Sequence, residues 1–479
     1  VAGVMTELLT SIGDAGRQMV LLIDEYDHFG NRLLSDGRDA VYQGLVRPTG
    51  FVRSFYAALK GFTTTSTIAR TFITGVSPIM LDDLSSGFNI ITHISTENTF
   101  NAMAGFTRSE VEHAVDVLLN DKPELTQDPR MRDRDALMAT LERFYDGYRF
   151  SDRASERMYN STLVLYFLSQ VSKEGAFPGK MLDLNVRTDY GRLYQIARST
   201  SETDTDTRDL LEEILTNESV SVELVEQFGT KMHLGRAQIA SLFYYMGMLT
   251  YGEGSTDDFQ AKLVIPNRVM RELQWEYMAF ALMDHDDIRL NMSDFSIAIQ
   301  KLSREADIAP LIALFKRDVV KRLGLRETQT FNEQAMKLML FGYLSQTGAF
   351  YLMTEQEVAQ GYCDLLLGIR SRSSFSKYAW IIEAKYVESK ATKASIEAVV
   401  EAGYKQIDKY ASDKDLVEML TLDRELKAGV LVFVGLKDVF FRAWPRPSKA
   451  AKPKAAKTRA APKKAASTKT AATKKVRRT

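Results

Sequence analysis

The chain has 479 residues, with 62 Lys+Arg against 62 Asp+Glu and a single cysteine. Its 45% apolar and 26% charged residues are those of a globular chain; Cys363 alone excludes an intrachain disulfide, and with five histidines it argues against a Cys/His zinc site. The zero charge hides an asymmetry: residues 446–479 hold 13 bases and no acid, which leaves 49 bases against 62 acids, a net of −13, in the rest.

At roughly 100–200 residues per domain, the length predicts two to four domains. No apolar run approaches the ~20 residues of a membrane-spanning helix, and no secretory signal pattern opens the sequence. The chain starts on Val1 and runs almost directly into an apolar segment, so it reads as missing its natural N-terminus.

Met19-Val20-Leu21-Leu22-Ile23 has the pattern of a strand buried on both faces. A second run at 71–75 follows a helical stretch near 39–60. Strands separated by helices predict a parallel α/β sheet. Thr107-Arg108-Ser109-Glu110 is a capping box, and the chain then reads as mostly helical to about residue 325. Within that region, residues 235–282 read as helix, β-hairpin, helix, the outline of a winged helix. From 326 a helix (332–344), strands at 350–353, 362–369 and 378–383, a helix at 396–410 and a strand at 428–434 form a separate α/β domain. After Pro445 the composition is almost entirely Lys, Arg, Ala, Pro, Thr and Ser, which cannot bury a core; this tail is expected to be disordered.

Asp24 and Glu25 end the first apolar strand, where open α/β sheets bind ligands. ATP hydrolysis needs one carboxylate for Mg²⁺ and another group to orient water, and adjacent acids supply both. Acids merely hydrated at a strand end are the alternative. Ile23-Asp24-Glu25-Tyr26-Asp27, Phe72-Ile73-Thr74-Gly75-Val76-Ser77-Pro78, Ser85-Ser86-Gly87-Phe88-Asn89, Ala104-Gly105-Phe106-Thr107 and Phe144-Tyr145-Asp146-Gly147-Tyr148-Arg149-Phe150 follow in this order. Together they resemble the AAA-ATPase-like family that is often fused to a nuclease-fold domain, over roughly residues 1–180. The resemblance implies a P-loop-type core, Asp24 as the Walker B Mg²⁺ ligand, Glu25 as the catalytic base and Thr74 near the γ-phosphate. ATP would be the cofactor of the intact protein. The sequence contains no Gly-x-x-x-x-Gly-Lys-Ser/Thr; that loop is expected upstream of residue 1. The chain is therefore expected to bind ATP weakly or not at all, and micromolar affinity in an isothermal titration with Mg-ATP would contradict this. The aromatic residues at 144–150 are read as packing a helical lid, with stacking on a base as the alternative.

Asp364 sits on an apolar strand, and Glu383-Ala384-Lys385 ends another. Period-two geometry places Glu383 and Lys385 on one face, which Asp364 reaches if the strands pair. Two carboxylates and a lysine suit metal-dependent phosphodiester hydrolysis. A solvent-facing cross-strand ion pair is the alternative. The arrangement resembles the PD-(D/E)xK nuclease superfamily over about residues 326–436. That resemblance implies Asp364 and Glu383 as Mg²⁺ or Mn²⁺ ligands with Lys385 as a catalytic residue. It adds Glu333 on the first helix as a further metal ligand, with a capping box to Thr330 as the alternative. Glu355 and Glu357 form the acidic stretch before the Asp strand. Gln406 and Lys405 would face nucleic acid, or lie on a solvated helix face. Cys363 is read as a small core residue.

The tail resembles those of linker histones. Lys463, Lys464, Lys474, Lys475, Arg477 and Arg478 are expected to neutralise DNA phosphates or to serve nuclear import. The expected organisation is an ATPase-like core at 1–106, a helical lid at 107–180 and a winged-helix-like segment at 181–290. A helical linker at 291–325, a restriction-endonuclease-like domain at 326–445 and the basic tail at 446–479 follow. DNA is the expected partner, no membrane is expected, and an oligomer would form through the ATPase-like module. The expected location is nucleus or cytoplasm, including delivery to a nucleus as a secreted effector. Metal-dependent DNA cleavage under nucleotide control is the leading function. A non-catalytic nuclear or DNA-binding protein that keeps the nuclease fold, or a nucleotide-driven switch, is the alternative.

Overall fold

The first apolar run becomes β1 (Met19–Ile23), which pairs in parallel with β2 (Ile68–Ile73). The structure is a computed structural model. It describes residues 2–35, 38–47, 49–76, 91–178, 180–182, 191, 209–211, 213–214, 217–226, 228, 234–253, 260–285, 291–321, 333–345, 348–358, 361–370 and 374–445. Helices α1 (Ala2–Asp14), α2 (His28–Ser35), α3 (Asp39–Val46) and α4 (Phe51–Thr64) accompany this sheet. The single helical stretch expected at 39–60 is thus two helices.

The reading of β1 as buried on both faces is corrected. Its side chains alternate between half-buried and exposed, with Val20 63% and Leu22 72% exposed. Phe72, the register partner of Leu22, is also exposed. The described residues place two strands in this sheet, and α4 packs against β2. One face therefore carries the core while apolar side chains on the other meet solvent.

The predicted capping box opens α5 (Arg108–Asp121). Glu110 N–H donates to Thr107 Oγ1 at 3.3 Å, and Thr107 N–H donates to the Glu110 carboxylate at 2.8 Å. Helices α6 (Arg134–Tyr145) and α7 (Ser161–Glu174) follow. Phe144, Tyr145 and Tyr148 are buried between these elements, so the aromatic motif packs a core. Gly147 makes the turn after α6 at φ +109°, and a Cβ there would stand 2.0 Å from the Pro266 carbonyl oxygen.

Helix α8 (Arg236–Tyr245), β4 (Thr250–Tyr251), β5 (Ala261–Val264) and α9 (Arg268–His285) follow the expected helix–hairpin–helix order. A further strand, β3 (Ser219–Val222), pairs with β5, giving the sheet order β3-β5-β4. Helix α10 (Met292–Glu305) leads to α11 (Ala309–Phe315), which continues into a π-helical turn at Lys316–Val320.

The largest sheet has the order β10-β9-β8-β7-β6. It follows α12 (Glu333–Ser345) and contains β6 (Phe350–Val358), β7 (Gly361–Ile369), β8 (Tyr378–Val387), β9 (Glu425–Val434) and β10 (Asp438–Ala443). Neighbours are antiparallel except β8 and β9, which are joined through α13 (Lys393–Ser412) and α14 (Lys414–Thr421). Ile381, Val430 and Val432 pack in one cluster with Val400, Ile407 and Leu420 of these helices. Trp380, Ile382, Leu365 and Phe433 pack in another with Phe295, Phe315 and Tyr343. Both faces of β8 are therefore covered, and each of its large apolar side chains contributes about 1.5–3 kcal/mol by burial.

The described residues up to Trp444 form one compact unit. The tail residues 446–479, the Ser85–Asn89 motif and Thr330 lie outside the described residues. Among the described residues no helix is long and apolar enough to cross a membrane.

Candidate active site

β8 carries Trp380-Ile381-Ile382-Glu383-Ala384-Lys385 through the middle of the large sheet. Trp380, Ile382 and Ala384 belong to one core cluster and Ile381 to the other, so alternation puts Glu383 and Lys385 on the Ile381 face. Residues Leu365–Leu367 of β7 pair with Trp380–Ile382, and the ladder ends at Leu365–Ile382. One residue further, Asp364 replaces a backbone acceptor with its side chain: Ala384 N–H donates to Asp364 Oδ2 at 2.9 Å. The strands thus part where the acids stand, which opens room between them.

Two lysines meet the two acids. Lys385 Nζ donates to Glu383 Oε1 at 2.7 Å. Lys337 Nζ, from α12, donates to Asp364 Oδ1 at 2.7 Å. The Glu383 side chain is 1% exposed, against 13% for Asp364 and about a fifth for each lysine. Glu383 Oε2 is buried and accepts no hydrogen bond among the described residues. Burial pushes the Glu383 carboxyl up to about 7; the nearby charge of Asp364 pushes the same way, and the Lys385 hydrogen bond opposes both.

These atoms fit a hard divalent cation. A buried carboxylate oxygen without a donor is costly unless something electropositive faces it, and a second carboxylate stands close enough to raise its pKa. Magnesium is commonly held by one or two carboxylates, with water and substrate oxygens completing its shell. Among the described residues no group of three or more His, Cys, Asp or Glu side chains is disposed to hold a metal. Among the described side chains, Asp364 and Glu383 are the ones that could hold such an ion.

The other predicted residues fall as follows. Glu333 begins α12, and Glu355 and Glu357 lie on β6; their side chains, like that of Cys363, are outside the described set. On α13, Lys405 is exposed and Gln406 half-buried. Lys463, Lys464, Lys474, Lys475, Arg477 and Arg478 are outside the described residues. Lys337 was missed by sequence reasoning, because nothing local marks a helical lysine as the partner of an acid 27 residues on.

The N-terminal acid pair is built differently. Asp24 and Glu25 follow β1 and are exposed, and Glu25 adopts φ +50°. Thr74, just past β2, donates its hydroxyl to Asp24 Oδ1, which also accepts Glu25 N–H at 3.0 Å. Backbone bonds from Thr74 N–H to Ile23 O (2.8 Å) and from Tyr26 N–H to Thr74 O (3.0 Å) lock the two strand ends together. The structure thus brings together Asp24 and Thr74. Glu25 turns instead toward His28, with 3.5 Å between Oε2 and Nδ1. Asp27, which sequence reasoning passed over, is buried and accepts Val76 N–H at 3.1 Å and Asn31 Nδ2–H at 2.6 Å. Gly75 lets this knot close: a Cβ there would lie 2.3 Å from the Tyr26 ring and 2.5 Å from Asp27 Oδ1.

Two family models match parts of the chain. Residues 2–85 match the family model described as a predicted AAA-ATPase, and residues 331–442 match the PD-(D/E)XK nuclease superfamily. The chain therefore fuses an AAA-ATPase-like domain to a PD-(D/E)XK nuclease superfamily domain. The first match holds Asp24, Glu25 and Thr74, and the second holds Asp364, Glu383, Lys385 and Lys337. No curated protein and no solved structure matches the chain.

Proposed function

We propose that the C-terminal domain of this fusion is a metal-dependent phosphodiesterase acting on DNA, with Asp364 and Glu383 holding Mg²⁺ or Mn²⁺. The observation that carries the reading is Glu383 Oε2, buried beside a second carboxylate and without a hydrogen-bond donor among the described residues. A bound divalent ion would supply Lewis acidity toward a phosphoryl oxygen and a bound water of lowered pKa. Ala384 N–H orients the Asp364 carboxylate, and the burial of Glu383 keeps bulk water from competing for its oxygens. Lys385, anchored on Glu383 Oε1, brings a positive charge to where negative charge develops on the phosphate. Lys405 and Gln406 on α13 would contact the nucleic-acid backbone, and the basic tail would hold DNA nearby by neutralising phosphates.

In a protein that also supplies a phosphate-binding loop, the AAA-ATPase-like domain would control this centre through nucleotide, with Asp24 as the Mg²⁺ ligand, Thr74 reading the γ-phosphate and Glu25 as the base. Assembly would run through that domain, and the unit from α8 to α9 would act as a winged helix. Nuclear action would suit the tail. A second reading, a DNA-binding module that keeps the fold without cleaving, is favoured by one feature: both Asp364 oxygens already have protein partners.

A plasmid-nicking assay in Mg²⁺ or Mn²⁺ separates the two. Cleavage that needs the metal and falls by about 10²–10³-fold in Lys385→Ala supports the enzyme. Equal rates in variant and wild type remove Lys385 from the chemistry, and tight DNA binding with no cleavage supports the second reading.

A further inference from the structure

We infer that Lys337 is an internal counter-cation that a divalent ion must displace from Asp364, so that this lysine sets the metal affinity of the centre. The inference rests on the metal-centre reading above. The two acids are held in parallel ways. Each has one oxygen fixed by β8: Glu383 Oε1 by Lys385, and Asp364 Oδ2 by Ala384 N–H. The remaining oxygens differ. Among the described residues Glu383 Oε2 has no donor, whereas Asp364 Oδ1 receives Lys337 Nζ at 2.7 Å. A cation held by the two carboxylates would be opposed at Asp364 by the positive charge of Lys337.

The lysine is placed to yield without disturbing the fold. Its neighbours on α12, Met336, Leu338, Met339 and Leu340, are at most 3% exposed, so the helix backbone is anchored by packing. The Lys337 side chain is itself 20% exposed. A lysine carries its charge on a flexible four-carbon stem with three rotatable donors, and it can swing away while the helix stays. Lys385 differs, because its partner Glu383 is 1% exposed and lies on the same strand. Without a metal, Lys337 limits the repulsion between the acids. With a metal, the same charge opposes the incoming ion.

Mn²⁺ titration followed by electron paramagnetic resonance tests this on the full chain, using wild type, Lys337→Met, Lys337→Arg and Asp364→Asn. Methionine keeps the stem and removes the charge, and circular dichroism checks the fold. The expected result is binding roughly tenfold tighter in Lys337→Met, near wild type in Lys337→Arg and lost in Asp364→Asn. If Asp364→Asn loses Mn²⁺ but Lys337→Met binds it equally or more weakly, Lys337 is a structural clamp and the inference falls alone. Tightening in Lys337→Arg equal to that in Lys337→Met would also overturn it, since charge would not be the cause. If Mn²⁺ binds neither wild type nor Lys337→Met, the metal-centre reading falls with it.

Discussion

β1 is followed by acids and β8 carries one within it, and the folds around them treat those acids in opposite ways. β1 belongs to a two-stranded sheet with one apolar face open, and Asp24 and Glu25 emerge exposed, tied to a threonine hydroxyl and to backbone. β8 is central in a five-stranded sheet with helices on both faces, and Glu383 stays 1% exposed among charges. The carboxyl chemistry follows from the setting. In the buried site, desolvation and a second acid lift Glu383 to about 7, and lysines are recruited to offset the cost. An Asp or Glu after an apolar run can thus follow a strand, as after β1, or stand inside one. β8 runs on to Val387, past the end the sequence predicts near Glu383, because β9 stays paired along it. The layers around the strand decide whether the acid joins a charged, dry centre.

Four substitutions probe this contrast, from the largest expected effect to the smallest. Ile381→Ala, at a fully buried position of β8, should lower stability by about 2–5 kcal/mol in urea unfolding; a loss well below that would mean the large sheet is not the tightly packed partner in the comparison. Glu383→Gln should change the pH dependence of stability. The folded-state pKa lies above the unfolded value of 4.5, so the native state holds this proton more tightly. That contribution is complete below the unfolded pKa and is lost as pH rises through about 7. The glutamine variant should lack this slope, and unfolding midpoints at about pH 5 and about pH 8 measure it; an unchanged slope would show that Glu383 ionises freely. Gly75→Ala should cost about 1–3 kcal/mol, because the new methyl group meets Tyr26 and Asp27. A neutral result would mean the Asp24–Thr74 knot is loose. Leu22→Ala, at a side chain 72% exposed, should change stability by less than about 0.5 kcal/mol; a large loss would show that the open face of β1 is covered in solution.

The C-terminal centre was the most legible part of the sequence. Asp364, Glu383 and Lys385 interrupt apolar runs where a charge is costly, and the two-residue period alone puts Glu383 and Lys385 on one face. Lys337 was illegible for the opposite reason: it lies on a helix where lysine is an ordinary surface residue, and only tertiary packing carries it to Asp364. Burial of β1 was misjudged because its five apolar residues look the same whether one face or two are covered. α14 and β10 escaped notice because each is short, eight and six residues, and is held by neighbours. Helix α14 starts on an Asp413 cap, and β10 exists by pairing with β9 after the turn at Gly435. Asp27 was passed over as one more acid after Asp24 and Glu25, although it is the one that is buried.

The central claim is that Glu383, whose buried Oε2 has no partner among the described residues, holds a divalent cation together with Asp364. Calorimetric titration of Mn²⁺ into wild type and Glu383→Gln tests it most directly. The account predicts a site in the wild type that is weakened by at least about tenfold in the variant. Equal affinity in the two proteins would contradict it.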